Sequence, residues 1–148
     1  MSIAAAETQV RQAIASGAGL ERFRQIVEIQ GGDPRIVDDY SRMPHVGDRH
    51  TIAADKSGYL TGLDAELVGR ASVALGAGRD RVEDPVDPAV GIMLAAKPGD
   101  QLKAGDPVLE LHFRDRARLD AAIVLASRAI TIGDQAPAAR RLVVGEVR

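Results

Sequence analysis

"KPGDQLKAGDPVLEL", residues 97–111, turns twice and then runs into an apolar segment, and its reading decides the fold class. A Lys-x-Gly turn begins at Lys97, a Gly-Asp turn follows at 105–106, and "PVLELHF" (107–113) continues as a strand. Upstream, "ADKSGYLTGLD" repeats the Lys-x-Gly device at Lys56 between "HTIAAD" (50–55) and "GYLTGL" (58–63), and "VGIMLAA" (90–96) supplies a further strand-like run. Short strands bounded by Gly, Pro and Asp predict a small sheet or barrel.

Helical periodicity surrounds this core. Residues 3–16 and 18–30 read as two helices broken at Ser16-Gly17, and Leu20, Phe23, Ile26 and Val27 in the second predict a buried face. Gly31 and Gly32 stop that helix, Asp33 caps a short turn begun by Pro34, and a linker follows through Pro44 and Gly47. A third helix, 64–75, is expected to be capped by Asp64, to turn Leu67, Val68, Ala71 and Leu75 inward and to stop at Gly76. A fourth, 117–130, shows Leu119, Ala122, Ile123, Ala126 and Ile130 on one face, with its end placed at Gly133; "RRLVVGEVR" reads as an edge strand. The fold class is therefore α+β, a small sheet with helices, preceded by a helical segment, with the division placed as 1–47 and 48–148.

Composition removes several functions. The 148 residues are 45% hydrophobic, enough for a packed core, and the net charge of −2 with interspersed acids and bases offers no basic face for nucleic acid and no polybasic run for a membrane surface. There is no cysteine, which excludes disulfides, thiolate metal sites and cysteine nucleophiles. Glu7 and Arg11 interrupt the first apolar stretch, so neither a signal segment nor a membrane span is expected there, and a cytoplasmic location is. Aromatic residues are 3% of the chain, too few for base-stacking platforms.

The stretch that invites a ligand is "LGAGRDRVEDPVDPAVG", residues 75–91. Gly76, Gly78, Arg79 and Arg81 combine flexible backbone N–H groups with guanidinium groups, a combination suited to an anion. The segment nevertheless lacks the third glycine of a dinucleotide fingerprint and the Lys-Ser/Thr of a P-loop, and it follows a helix whose C-terminus repels phosphate. Gly76 is better read as the end of that helix. Glu83, Asp84 and Asp87 lack the ligand alternation of a calcium loop and read as turn formers beside proline. His45, His50 and His112 are scattered without metal-ligand spacing, and Ser57 sits in "KSG" rather than in a nucleophile elbow, so neither a metal site nor a catalytic residue is expected.

Two resemblances follow. The hairpin "KPGDQLKAGDPVLEL" is similar to half of a biotinyl or lipoyl carrier domain, a barrel-sandwich, but Lys56 and Lys97 precede Ser57 and Pro98 instead of the methionine or acid that flanks a modified lysine. Far more of the chain, "SGAGLERFRQIVEIQGGDPRIVDD" (16–39) and the stretch from Ala54 to His112, resembles the C-terminal region of thymidine and pyrimidine-nucleoside phosphorylases. Helix-GG-DP, K-S-G-Y, G-A-G-R, D-P-x-D-P-A-V-G-I and K-x-G-D occur there in that order.

The resemblance implies an α/β-hammerhead domain of an enzyme that cleaves pyrimidine nucleosides with phosphate to free base and (deoxy)ribose 1-phosphate, without a cofactor. It also implies that residues 1–47 end the large α/β domain and that the parent is a homodimer. The phosphate- and pyrimidine-holding motifs of the family have no counterpart in this sequence, so the chain alone, a monomer or weakly self-associating, is expected to be inactive. Its loop with Gly76, Gly78, Arg79 and Arg81 is expected to lie near the substrate cleft and close over it. The carrier or adaptor module and an autonomous small-molecule binder are the alternatives.

Overall fold

The structure is a computed structural model that describes residues 2–138 and residue 145. The expected edge strand at 140–148 lies outside the described residues apart from Gly145. Contacts divide the chain into two compact units, Met1–Pro44 and His45–Arg148.

The first unit is a helical hairpin, α1 (Ile3–Ala15) and α2 (Ala18–Ile29), followed by two 3-10 turns at Pro34–Val37 and Tyr40–Arg42. Ser2 caps α1 by accepting from the Ala5 N–H, and Asp33 caps the first 3-10 turn through the Arg35 N–H. The Gly31-Gly32 stop is seen as backbone bonds from Gly31 to Glu28 O (2.9 Å) and from Gly32 to Val27 O (2.9 Å), the paired closure of a Schellman motif. The buried face expected on α2 is not found: Leu20, Phe23 and Ile26 are 52%, 51% and 44% exposed. Its periodicity specifies an apolar stripe, and a two-helix hairpin has no third layer to cover both its helices.

The second unit is α+β. Its strands are β1 (Arg49–Ala53), β2 (Gly58–Leu63), β3 (Gly91–Leu94), β4 (Gln101–Leu102), β5 (Pro107–His112) and β6 (Ile130–Gly133); its helices are α3 (Ala65–Leu75) and α4 (Arg116–Arg128). They form two antiparallel three-stranded sheets, ordered β1-β5-β3 and β4-β2-β6. In the first, β5 pairs Leu111 with His50 and Ile92, and Leu109 with Ile52 and Leu94. In the second, Leu60 lies opposite Ile132 and Gly58 opposite Leu102.

Two Lys-x-Gly-Asp segments, 97–100 and 103–106, join the two sheets. In each, the aspartate carboxylate accepts from the lysine N–H at 2.8 Å while its own N–H returns to the lysine carbonyl at 3.0 Å, for Lys97/Asp100 and for Lys103/Asp106. Gly99 and Gly105 occupy the third turn position with φ of 107° and 93°, which a side chain would resist. The first turn is tied to β2 (Leu60 N–H to Asp100 O, 2.9 Å) and the second to the end of β1 (Gly105 N–H to Ala54 O, 2.9 Å). One short motif used twice thus sets two strand connections.

The core lies between the sheets and the helix pair. Leu60, Leu109, Leu111 and Leu119 have no exposed surface, and each such side chain contributes about 1.5–3 kcal/mol by burial. Asp64 caps α3 through the Leu67 N–H (3.0 Å), with Ala71 and Leu75 buried and Leu67 and Val68 half-buried, as the periodicity predicts. Asp115 caps α4 by accepting from Ala117 and Arg118 N–H groups. The fourth helix is shorter than the sequence pattern implies. It ends at Arg128, and Ile130, Thr131 and Ile132, expected to continue or terminate it, instead pair with β2 as β6. The β-branched residues follow the available strand edge rather than the helical spacing.

Candidate functional site

The loop after α3 is built from its ends inward. Gly76 adopts a left-handed conformation (φ 106°), and its N–H and that of Ala77 close on Val73 and Ser72 carbonyls at 2.9 and 3.1 Å. The expected helix end is therefore in place. From there the chain makes an excursion and returns, and the Asp87 N–H donates to the Gly76 carbonyl at 2.9 Å, pinning the two ends together as in an Ω-loop.

Inside the loop, acids hold backbone. Asp84 accepts from the N–H groups of Asp80 (3.2 Å) and Arg81 (2.8 Å). Asp87 accepts from the Ala89 N–H at 2.9 Å and from Arg114 Nε at 2.7 Å. Those two bonds, the backbone one first, hold the Asp87 carboxyl below its ordinary value of 3.8. Glu83, the third acid of the segment, is exposed.

The four residues singled out in the sequence do not occupy equivalent positions. Gly76 is buried at the loop base, where Nη1 of Arg118 lies 2.8 Å from the place a Cβ would take. Gly78 is packed over α3, with Val73 Cγ2 only 2.7 Å from its would-be Cβ. Arg79 and Arg81 are exposed, and neither side chain has an ion pair or hydrogen-bond partner among the described residues. Arg79 lines a cleft of about 630 Å³ together with Gly78, Arg70 and Arg118; Arg81 does not line it. A second cleft of about 440 Å³ runs beneath Pro85–Pro88 and is walled by Arg114, Asp115 and Arg118.

Sequence reading missed Arg118. It lies far along the chain from Gly76, on the first turn of α4, and only the packing of α4 on α3 brings the two together. It also missed a polar cluster on the first sheet, where Glu110 Oε1 meets His112 Nε2 at 2.7 Å and Arg49 Nη1 at 3.4 Å. The signal for half of that cluster was present, since residues two apart on a strand share a face. The Arg49 contribution required the register that sets it opposite His112.

Among the described residues no three His, Cys, Asp or Glu side chains gather as a metal site, and no helix is long and apolar enough to cross a membrane. The second unit is thus an α+β domain of two small antiparallel sheets with an arginine-bearing loop pinned at its base. The family described as the pyrimidine nucleoside phosphorylase C-terminal domain matches residues 59–133, from β2 to β6, and the chain belongs to it. Pyrimidine-nucleoside phosphorylases of Staphylococcus aureus strains USA300, N315 and MW2 are each 41% identical to the chain over 123 residues. That match covers 83% of this chain and 28% of each relative, so the chain spans little more than a quarter of the length of the curated relatives it matches. Wherever it begins, a continuous match of 123 residues within 148 includes residues 26–123, and therefore the whole loop.

Proposed function

We propose that the chain is the C-terminal part of a cytoplasmic pyrimidine-nucleoside phosphorylase, and that its 76–87 loop closes over substrate held by the rest of the enzyme. The reaction is phosphorolysis: a phosphate oxygen bonds to the anomeric carbon, the glycosidic bond to the pyrimidine breaks, and the departing base keeps the bonding pair. Such a reaction needs oriented phosphate and charge support at an oxocarbenium-like centre, which converging cationic donors provide. The observation that carries this reading is the family match over residues 59–133 together with a 76–87 loop inside it whose base is pinned and whose Arg79 and Arg81 side chains have no partner among the described residues.

In this reading residues 1–47 are the end of the large α/β domain, and residues 48–148 form the α/β-hammerhead. The pair of three-stranded sheets with helices packed on them supports that architecture. Gly76 and Gly78 set the loop base, and Arg79 and Arg81 meet the substrate side when the domains close. Phosphate and a pyrimidine nucleoside are ligands of the full-length homodimeric enzyme, which uses no cofactor. The isolated chain is inactive because the family's phosphate- and pyrimidine-holding motifs have no counterpart in its sequence. The carrier reading is disfavoured because both candidate turns are spent on connecting the sheets, with the Lys97 N–H engaged by Asp100 and the Ser57 hydroxyl by the Ala104 N–H.

The test replaces the matching portion of a Staphylococcus aureus relative with this chain and measures phosphate-dependent release of uracil or thymine from uridine and thymidine. The chimaera is expected to turn over, the chain alone to be inactive, and the joint R79Q/R81Q variant to lose about tenfold or more in kcat/KM. A folded chimaera without activity, or one indifferent to both arginines, overturns the reading.

A further inference from the structure

The cleft beside the loop has an imbalance of charge, and of its cations the closing role uses only Arg79. Three guanidinium groups face it, from Arg70, Arg79 and Arg118. Of the acids on its walls, Glu66 is paired with Arg70 at 3.7 Å, and Asp84 is committed to the backbone N–H groups of Asp80 and Arg81. That leaves Asp80 as the one lining carboxylate without a hydrogen bond or ion pair among the described residues. Arg79 and Arg118 likewise have no side-chain partner there, so two planar fork donors are set against one acid.

The position of Arg118 is determined by packing rather than by a salt bridge. Its guanidinium lies over Gly76, where the absence of a side chain leaves it room, and its full positive charge outweighs the partial negative charge of the α3 C-terminal end that by itself would repel a phosphate. The apolar part of the lining comes from Val73, Ala74 and Leu125. A volume of about 630 Å³ is larger than a bare oxyanion needs and falls in the range of small-molecule sites.

We infer that this cleft binds a phosphomonoester, its phosphate held between Arg79 and Arg118 and its organic body laid against Val73 and Leu125. The inference goes beyond the closing-loop reading, because the site lies within this chain and is tested without the rest of the enzyme. A failed titration removes the cleft and leaves loop closure to its own assay.

The experiment titrates the 148-residue chain with ribose 5-phosphate, inorganic phosphate and ribose, following amide shifts by NMR at low ionic strength. Ribose 5-phosphate is expected to bind saturably and more tightly than inorganic phosphate, with shifts centred on residues 73–80 and 118–125, and ribose not at all. R79Q and R118Q are each expected to weaken binding about tenfold, the scale of a lost charged hydrogen bond. K103Q, on the turn joining the sheets, is expected to leave binding unchanged. R79Q changes an exposed loop residue and keeps the test decisive should R118Q fail to fold. Absence of saturable shifts, or equal binding to wild type and R79Q, overturns the site; equal affinity for phosphate and ribose 5-phosphate overturns the assignment of an organic body.

Discussion

Gly76 combines three demands that one residue satisfies: a left-handed backbone, the end of α3, and room for the Arg118 guanidinium. Substituting alanine strains the backbone and places a methyl 2.8 Å from Nη1 of Arg118. Because the arginine end can swing away, the backbone term dominates, and Gly76→Ala is expected to cost about 1–2 kcal/mol in urea denaturation. Asp87 is the other residue on which the loop base depends. Its carboxyl sits below the ordinary value of 3.8 through the Ala89 N–H and then Arg114, so the folded state holds the proton less tightly than the unfolded chain. Its stabilising contribution is therefore complete above about pH 5 and is lost as pH falls through the folded value. Thermal unfolding followed by circular dichroism from pH 7 to pH 3 is expected to show a shallower acid decline for Asp87→Asn than for the wild type.

Helices of the second unit follow local rules closely, and their strands less so. Asp115 receives the Ala117 N–H at 2.8 Å and the Arg118 N–H at 3.3 Å, so Asp115→Ala is expected to cost about 1 kcal/mol. Leu119 has no exposed surface, on the face of α4 that carries Ala122 and Ala126, and Leu119→Ala is expected to cost about 2–5 kcal/mol, measured by the same denaturation. Leu119 was legible because a 3.6-residue period is a local signal, whereas the Asp115 cap was missed and the helix start was placed at 117 rather than Arg116. The β6 strand was not legible: Ala126 and Ile130 extend the helical spacing, and only the exposed edge of β2 turns Ile130–Gly133 into a strand. The two-residue β4 was missed for a related reason, since Gln101-Leu102 is too short to carry any periodicity.

Across the whole molecule, buried hydrophobic residues begin at Val46, and α1 and α2 contribute none among the described residues. Ion pairs in the first unit, including Arg24–Asp38 and Arg35–Asp33, are on exposed or partly exposed side chains and add little to its stability. A chain starting at His45 is accordingly expected to unfold cooperatively, with a midpoint close to that of all 148 residues. Residues 1–44 alone are expected to show weak, non-cooperative helicity by circular dichroism, as short helices without a buried face do. Loss of cooperative unfolding in the shorter chain would show that the helical hairpin takes part in the folding of the second unit.

The candidate site divides along the same line. Sequence alone determined the α+β class, the caps at Asp33 and Asp64, the stop at Gly76 and the turns at Lys97 and at 105–106, because each depends on backbone preferences of neighbouring residues. It also carried the family, through ordered short motifs. Tertiary structure decided that Gly76 and Gly78 are packed parts of the loop base, that Arg79 and Arg81 differ in what they face, and that Arg118 joins Arg79 at one cleft. Those relations depend on where α4 lands on α3, a packing outcome set by apolar burial between residues distant in the chain, and no local pattern encodes it.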